Sequence, residues 1–179
     1  MAPRQPNLEP PMTDTTIPKI GTFCWAELAT TDTAAASEFY GGLFGWTAME
    51  MESAMGPYVF QRIGERDMAG SHGIMADQAT QGVRPHWLAY VAAGNANETV
   101  GRAVDLGGSV MAPPSEVPDY GTMAVLKDPQ GAIFALWQPL SAGQNPFELN
   151  EPGAPCWTEL ATRDTGAAST FYSGLFGWG

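Results

Sequence analysis

Residues 21–46 read GTFCWAELATTDTAAASEFYGGLFGW, and residues 153–178 repeat them as GAPCWTELATRDTGAASTFYSGLFGW. The match covers the whole stretch, so it marks an internal repeat rather than a similarity of composition. The chain ends one residue after the second copy. A strand and a helix without a sheet cannot bury their apolar faces. The sequence therefore predicts one complete unit over 21–140 and the truncated start of a second over 153–179.

The first copy predicts a strand that passes directly into a helix. Residues 23–30 suit a strand with two different faces, on which Trp25 and Glu27 share one side. Asp32 is a suitable N-cap for the helix, and Gly45 a suitable C-terminal cap. The apolar positions of the helix recur every three or four residues and predict a stripe buried in the core, formed by Ala36, Phe39, Tyr40, Leu43 and Phe44.

The order strand, helix and three strands occurs twice within the complete unit. The strands predicted after the first helix are 47–52, 58–63 and 68–75. The second half predicts strands at 86–92, 109–112, 122–127 and 132–138, a helix over 97–106 and a proline-rich loop over 113–118. The predicted fold class is α+β, with paired βαβββ halves at about 21–80 and 83–140 that form one cupped mixed sheet with outer helices.

Composition excludes several classes of partner. The formal charge of −11 and the pI near 4.3 argue against binding to nucleic acid or to anionic membranes, which both need dense Lys and Arg. No segment has the roughly 20 apolar residues of a membrane span, so we expect a cytoplasmic protein. Residues 1–20 lack a signal-peptide core and predict a disordered leader, and 141–152 predict a linker.

The two cysteines occupy equivalent positions of the repeat. Cys24 and Cys156 each precede a tryptophan, which indicates core packing duplicated with the repeat rather than a disulfide. A reducing compartment is the simpler interpretation. The second copy also carries apolar residues that we expect to be exposed and to drive dimerisation or strand exchange, namely Trp157, Leu160, Phe171, Tyr172, Leu175 and Phe176.

Two stretches carry a resemblance to a known family. The doubled βαβββ order, TTDTAAASEFYGGLFGW at 30–46 and LKDPQGAIFALWQP at 126–139 resemble the vicinal oxygen chelate superfamily. This superfamily includes glyoxalase I, bleomycin-resistance proteins, fosfomycin-resistance proteins and extradiol dioxygenases. Within it, the sequence most resembles two-domain actinobacterial members described as hydroxylase-like or glyoxalase-like. The resemblance implies the glyoxalase/bleomycin-resistance fold but does not fix an activity, because the superfamily hosts several chemistries.

The resemblance also implies where metal ligands would stand. The equivalent positions are Trp25 and Trp87, seven residues before Asp32 and Gly94 at the helix starts, and Ala135, just after the Asp-Pro-x-Gly turn. Indole and methyl groups do not coordinate divalent cations, so no metal or other cofactor is predicted. A fallback metal site would need the only two histidines, His72 and His86, together with a carboxylate.

The predicted cup is apolar and aromatic, with one carboxylate. The residues expected to face it are Trp25, Glu27, Trp87, Ala89, Ile133, Ala135 and Trp137. Glu27 returns as Glu159 in the second copy. Its carboxylate could act as a general base, anchor a ligand, or simply hydrogen-bond backbone donors or Arg at a domain interface. The tryptophans, likewise, suit either a ligand platform or a core.

Three functional hypotheses follow. The first is a metal-independent domain that binds a small apolar or aromatic molecule, as drug-sequestering resistance proteins do. The second is an enzyme of the same superfamily, either a lyase or isomerase with Glu27 as base, or a divergent dioxygenase or hydroxylase. The third is a scaffold half whose partner domain performs the chemistry.

Overall fold

The computed structural model describes residues 18–53, 56–141 and 152–179. The predicted leader and linker fall almost wholly outside the described residues. In chain order the elements are β1 (Phe23–Thr30), α1 (Thr33–Phe44), β2 (Thr47–Ser53), β3 (Gly56–Ile63), β4 (Arg66–Gly73), α2 (Ala76–Thr80), β5 (His86–Ala92), α3 (Ala96–Asp105), β6 (Ser109–Val117), β7 (Gly121–Lys127), β8 (Ile133–Pro139) and α4 (Thr165–Phe176).

The strands of the described residues form a single mixed sheet in the order β2-β3-β4-β1-β5-β8-β7-β6. In each half the first strand pairs in parallel with the last, β1 with β4 and β5 with β8, and the other pairs are antiparallel. The halves join where β1 and β5 run antiparallel, with Glu27 opposite Leu88. The predicted α+β fold of two βαβββ halves in a curled mixed sheet is confirmed.

Helices α1, α3 and α4 cover one face of the sheet, here called the outer face. Asp32 caps α1 by accepting from the Ala35 amide at 2.9 Å, and Gly45 ends it in the left-handed region at φ 74°. On the second half, α3 and α4 bury an apolar cluster with β7 and β8. Its buried members are Ala93, Ala103, Ala124, Leu126, Phe134, Leu136, Phe171 and Leu175.

Burial reverses the prediction for the two copies of the repeated helix. Phe39 and Leu43 on α1 were expected in the core, but they are 62% and 59% exposed, and Phe44 is 45% exposed. Their counterparts on α4, Phe171 and Leu175, were expected to be exposed and are buried at 3% and 2%. The reason is that α4 packs beside α3 on the second half, whereas α1 lies over β2 and β4 with this stripe turned outward.

The second copy also differs from the first in its strand. Residues 155–162 correspond to β1, but within 152–179 they adopt no strand. Cys156 is therefore exposed while Cys24 is buried, so the prediction of duplicated core packing is wrong for Cys156. Trp157 is exposed, as expected. Backbone pairing, which the second copy lacks, is what holds Cys24 in the core.

The largest differences from the predicted elements are the length of one strand and the presence of one short helix. Strand β6 runs on to Val117 through Pro113 and Pro114, which were assigned to a loop. Proline removes a backbone donor, but β6 is an edge strand with a free side, and its pairing with β7 is irregular at this point. The five-residue helix α2 was not predicted. No helix within the described ranges has the length and apolarity needed to cross a bilayer.

Candidate functional site

The concave face of the sheet, opposite the helices, is organised around the carboxylate of Glu27. Its Oε2 accepts a hydrogen bond from the Tyr58 hydroxyl and its Oε1 accepts one from the Tyr90 hydroxyl, both at 2.9 Å. His72 Nε2 lies 3.4 Å from Oε1. The four side chains come from β1, β3, β5 and β4, so the sheet order alone brings them together. The Glu27 side chain is only 13% exposed.

Aromatic side chains hold the Tyr58 hydroxyl in place. The Trp25 indole donates to the Tyr58 Oη at 3.0 Å, and Phe60 packs edge-on against the Tyr58 ring at 5.1 Å. Gly70 on the neighbouring strand provides the space, because a Cβ there would lie 1.8 Å from the Tyr58 Oη. A glycine in a strand often marks such a close approach.

The electrostatics of this cluster follow from burial and from the Glu27 charge. Burial first, and then the nearby carboxylate, raise the pKa values of Tyr58 and Tyr90 well above the usual value, so both phenols remain donors. The hydrogen bond to Glu27 raises the pKa of His72 in spite of desolvation, which opposes it. The His72 Nδ1 lies 3.1 Å from the Gly73 carbonyl oxygen. Both ring nitrogens thus face acceptors, which only the imidazolium can satisfy.

The two edges of the sheet approach each other across the concave face. Tyr120, in the turn between β6 and β7, stacks on Phe60 of β3 with ring centroids 6.3 Å apart. Its hydroxyl lies 3.6 Å from the Met51 Sδ on β2. Because these strands belong to opposite ends of the sheet order, the contacts curl the sheet around its aromatic interior.

The structure brings five of the seven predicted cup residues to the concave face. Trp25 pairs with Tyr90, and Tyr90 in turn pairs with Ala135. Strand alternation places the rest of this set on the same face, namely Glu27, Ile133 and Trp137. Trp25, Ala135 and Trp137 pack in one cluster with Tyr90.

Trp87 and Ala89 are placed on the outer face, contrary to the prediction. Trp87 pairs with Leu28, and its indole donates to the Tyr40 hydroxyl at 3.0 Å beneath α1. The prediction counted seven residues back from Gly94, but the helix N-cap is Asn95. Counting from the correct cap gives Leu88, which does face inward, and a slip of one residue reverses every side chain of a strand.

Sequence reasoning also missed residues that form the cluster. Tyr58, Phe60 and Tyr90 were assigned to strands but not to the site. The alternation of Tyr58 and Phe60 with Val59 and Gln61 was an available signal, because aromatic residues at every second position predict one shared face. Tyr120 lies in a turn that carries no comparable periodicity.

The residues present do not fit the metal site that the superfamily resemblance would suggest. Trp25, Ala135 and Leu88, which the Asn95 N-cap places at the third expected position, offer no metal-coordinating atom. Glu27 and His72 are close, but the carboxylate already accepts two phenolic hydrogen bonds. In the parts of the chain that the structure describes, no three His, Cys, Asp or Glu side chains are grouped as metal ligands would be.

The comparisons with known proteins agree with this fold. The family model described as "Glyoxalase-like domain" matches residues 25–137, which is more than half of the chain. The chain is 33% identical over 159 residues to the Mycobacterium bovis protein named "Putative glyoxylase CFP32", covering 88% of this chain and 60% of that protein. It is 34% identical over 170 residues to "Anthracycline biosynthesis protein DauV" of a Streptomyces species, covering 88% and 61%.

The solved structures agree at the level of the fold. An Mn(II)-bound glyoxalase from Novosphingobium aromaticivorans superposes with a TM-score of 0.61 at 13% identity, covering 88% of this chain and 53% of that one. The 2,3-dioxygenase LapB of Pseudomonas sp. KL28 gives a TM-score of 0.57 at 14% identity, covering 88% and 59%. The chain spans about 60% of the length of the curated relatives it matches. With its curled sheet of two βαβββ halves, the chain belongs to the glyoxalase-like domain family of the vicinal oxygen chelate superfamily.

Proposed function

We propose that the concave face binds a small molecule with an aromatic or apolar ring, through side chains and without a resident metal. The observation that carries this proposal is the Glu27 carboxylate, fixed by two phenols among the rings of Trp25 and Phe60. Small-molecule sites combine apolar and aromatic linings with a few fixed polar groups. This arrangement offers both.

The ligand would enter at the end of the concave face where β1 finishes. His72 and His86 both align with Ala29, from opposite sides of β1. The His72 side chain is 30% exposed, His86 is exposed, and Ile133 is exposed nearby on the same face. A ring seated against Leu88 and Ile133 would place a polar substituent near His72.

Relatives support the class of ligand only. One takes its name from glyoxylase activity and another from anthracycline biosynthesis. From these relatives we propose for this chain a small-molecule ligand, and we propose none of their individual substrates.

The test uses the full chain after dialysis against EDTA. It is titrated with an aromatic probe, 1,8-dihydroxyanthraquinone, and binding is measured by the change in tryptophan fluorescence. We expect saturable binding that Ile133→Asp weakens by at least about ten-fold, which is about 1.4 kcal/mol. The matched control is Val110→Asp, because Val110 is similarly exposed but aligns with the outer-facing Leu126. Binding that needs added Mn²⁺, or an equal effect of both substitutions, would contradict the proposal.

An acid–base enzyme is the second candidate function, because His72 is paired with Glu27 and is reachable from solvent. In this candidate His72 moves one proton within the substrate: the neutral imidazole takes the proton, and the resulting imidazolium returns it to the anionic intermediate. Glu27 orients the ring rather than serving as the base. Glu27→Gln should then reduce turnover of an isomerase or lyase substrate far more than it weakens anthraquinone binding. Binding without turnover in the wild-type chain would favour sequestration.

We place the protein in the cytoplasm and expect no nucleic-acid partner. Both cysteines are free thiols, and Cys156 is exposed, which suits a reducing compartment. The net charge of −11 opposes association with phosphate backbones. Failure to bind duplex DNA in low salt, measured by mobility shift, is the expected outcome.

A further inference from the structure

The two copies of the repeat contact each other reciprocally. The Trp46 indole, at the end of the first copy, donates to the carbonyl of Gly153, the first residue of the second copy, at 2.8 Å. The Trp178 indole, at the end of the second copy, donates to the carbonyl of Gly21, the first residue of the first, at 2.6 Å. Equivalent atoms are thus exchanged in both directions. This is the pattern of an approximate two-fold axis between the copies.

The symmetry breaks at the repeated helices. The stripe of α4 that contains Phe171 and Leu175 is buried on the outer face of residues 83–140. The same stripe on α1, with Phe39 and Leu43, is exposed. The two helices have nearly the same sequence, so the difference lies in what covers them and not in the helices themselves.

The helix N-termini differ in the same way. Gln130, from the turn between β7 and β8, donates from Nε2 to the Asp164 carbonyl at 2.8 Å and accepts from the Asp164 amide at 3.0 Å. In the first copy the equivalent Asp32 amide instead bonds to the Thr30 Oγ1 at 3.2 Å. The Thr162 hydroxyl, equivalent to that of Thr30, is buried without a hydrogen-bond partner, because Gln130 has replaced it.

A cleft adjoins the N-terminus of each helix, about 330 Å³ beside α1 and about 600 Å³ beside α4. What differs is the partner of the aspartate backbone, which is the Gln130 side chain at α4 and the Thr30 hydroxyl at α1. At the other end of α4, Arg102 donates to the carbonyl groups of Gly174 and Leu175, at 3.0 and 2.6 Å. A guanidinium at a helix C-terminus interacts favourably with the helix dipole.

We propose that the outer stripe of α1 is the docking surface for a second βαβββ half like residues 83–140, namely the second half of the domain that residues 153–179 begin. Such a half offers an apolar outer face for Phe39 and Leu43, a glutamine side chain for the Asp32 backbone and a guanidinium for the end of α1. The two domains would then each cover the first helix of the other. The surface is continuous with the existing contact of Trp46 with Gly153.

Two observations favour this occupant over a second copy of the chain. Another copy cannot offer the outer face of its residues 83–140, because its own α4 already covers that face. The relatives matched by the chain are also longer, and the chain spans about 60% of them. The partner is therefore a half-domain of the same fold.

The first experiment asks whether the α1 surface is suited to such a half. The substitutions Gly166→Ala, Thr170→Glu and Ser173→Gly convert α4 of the full chain into the sequence of α1. Thr170 is exposed, so its substitution should cost little. Gly166→Ala raises the helix propensity and Ser173→Gly lowers it, so these two effects should largely cancel. We expect a midpoint of thermal unfolding within a few degrees of wild type, whereas Phe171→Glu lowers it strongly. Loss of stability in the triple variant comparable to that of Phe171→Glu would overturn the proposal.

The second experiment supplies the rest of that domain, including the proposed half. Residues 1–178 are followed directly by a second copy of residues 47–140, since Trp178 corresponds to Trp46. Phe39→Glu should leave the 179-residue chain unaffected but lower the unfolding midpoint of the extended chain as much as Phe171→Glu does. Val104→Glu, at an exposed site on α3, is the matched control.

Two results would overturn the proposal. The first is an extended chain that folds and whose unfolding midpoint Phe39→Glu leaves unchanged. The second is a dimer of the 179-residue chain, seen by light scattering, that Phe39→Glu dissociates, because the occupant is then a second copy. Should the extended chain not fold, the triple variant decides: retained stability supports the proposal and lost stability overturns it.

Discussion

At the scale of single residues, Glu27 determines the character of the concave face. Its carboxylate accepts hydrogen bonds from two buried tyrosines and lies beside His72, so most of its lone pairs are engaged within the protein. That arrangement suits an anchoring and orienting role better than that of a free base. His72, which is more exposed, is the member of the cluster that a ligand can reach.

The raised pKa of His72 predicts a pH-dependent stability. A histidine whose pKa is higher in the folded state contributes stability below its unfolded value, about 6.5, and loses that contribution as the pH rises through the folded value. We expect His72→Gln to lower the midpoint of thermal unfolding at pH 5.5 more than at pH 9.

His86→Gln is the matched control for this experiment, because His86 lies on the same face of the sheet as His72 but contacts the Arg84 carbonyl instead of Glu27. Glu27→Gln should remove the effect of His72, since the carboxylate is the main cause of the shift. A His72→Gln effect that grows as the pH rises would contradict the assignment.

Gly70 predicts a steric test of the same cluster. In Gly70→Ala the new methyl group meets the Tyr58 Oη, which must leave Glu27 and Trp25. We expect a loss of about 2 kcal/mol in the free energy of unfolding, typical of overpacking. Gly73→Ala on the same strand is the control, because a Cβ there meets nothing within 4 Å. Equal urea denaturation midpoints for the two variants would show that Tyr58 can move freely.

At the scale of elements, the repeated helix shows how environment decides the role of a sequence. Helices α1 and α4 have the same kind of N-cap, the same left-handed C-terminal glycine and nearly the same residues. Helix α4 nevertheless contributes Phe171 and Leu175 to a core, while α1 presents its stripe to solvent. Helical periodicity therefore identifies an apolar stripe but not whether the chain covers it.

Truncating the equivalent leucines should measure this difference directly. Leu175→Ala empties a buried position and should cost about 3 kcal/mol of unfolding free energy. Leu43→Ala changes an exposed position and should cost less than about 0.5 kcal/mol. Urea denaturation of the two variants gives the comparison, and equal losses would mean that α1 is covered in solution.

At the scale of the whole molecule, charge opposes compaction. The chain carries 19 acidic and 8 basic residues, which gives the net charge of −11. A large net charge destabilises a compact state through self-repulsion, and salt screens that repulsion.

The unfolding midpoint should therefore rise with ionic strength. Between about 0.02 and about 0.5 M NaCl, where the screening length falls several-fold, we expect an increase of roughly 3 °C, equivalent to about 1 kcal/mol. Differential scanning calorimetry at constant pH measures it. Sorbitol at equal osmolality is the control for effects other than screening, and a falling midpoint would indicate that attractive ion pairs dominate.

The order of the strands and of the longer helices, and with it the fold class, follows from local sequence patterns. The period-two strands, the helix caps and the duplicated βαβββ order depend on local geometry, which each segment carries in its own residues. Alternation likewise identified which residues of one strand share a face, as with Trp25 and Glu27. These features needed no knowledge of neighbouring strands.

Which face is concave and which repeated helix is covered depend on contacts between segments that are distant in the chain. The prediction assigned Trp87 to the concave face because it placed the start of α3 one residue too early. Which face a strand residue occupies depends on the register of the strand with its neighbour. The cluster of Glu27 with Tyr58, Tyr90 and His72 joins four strands that are distant in the chain, so no local sequence pattern predicts it. Burial of α4 rather than α1 depends on what packs against each helix, which is a property of the assembled molecule.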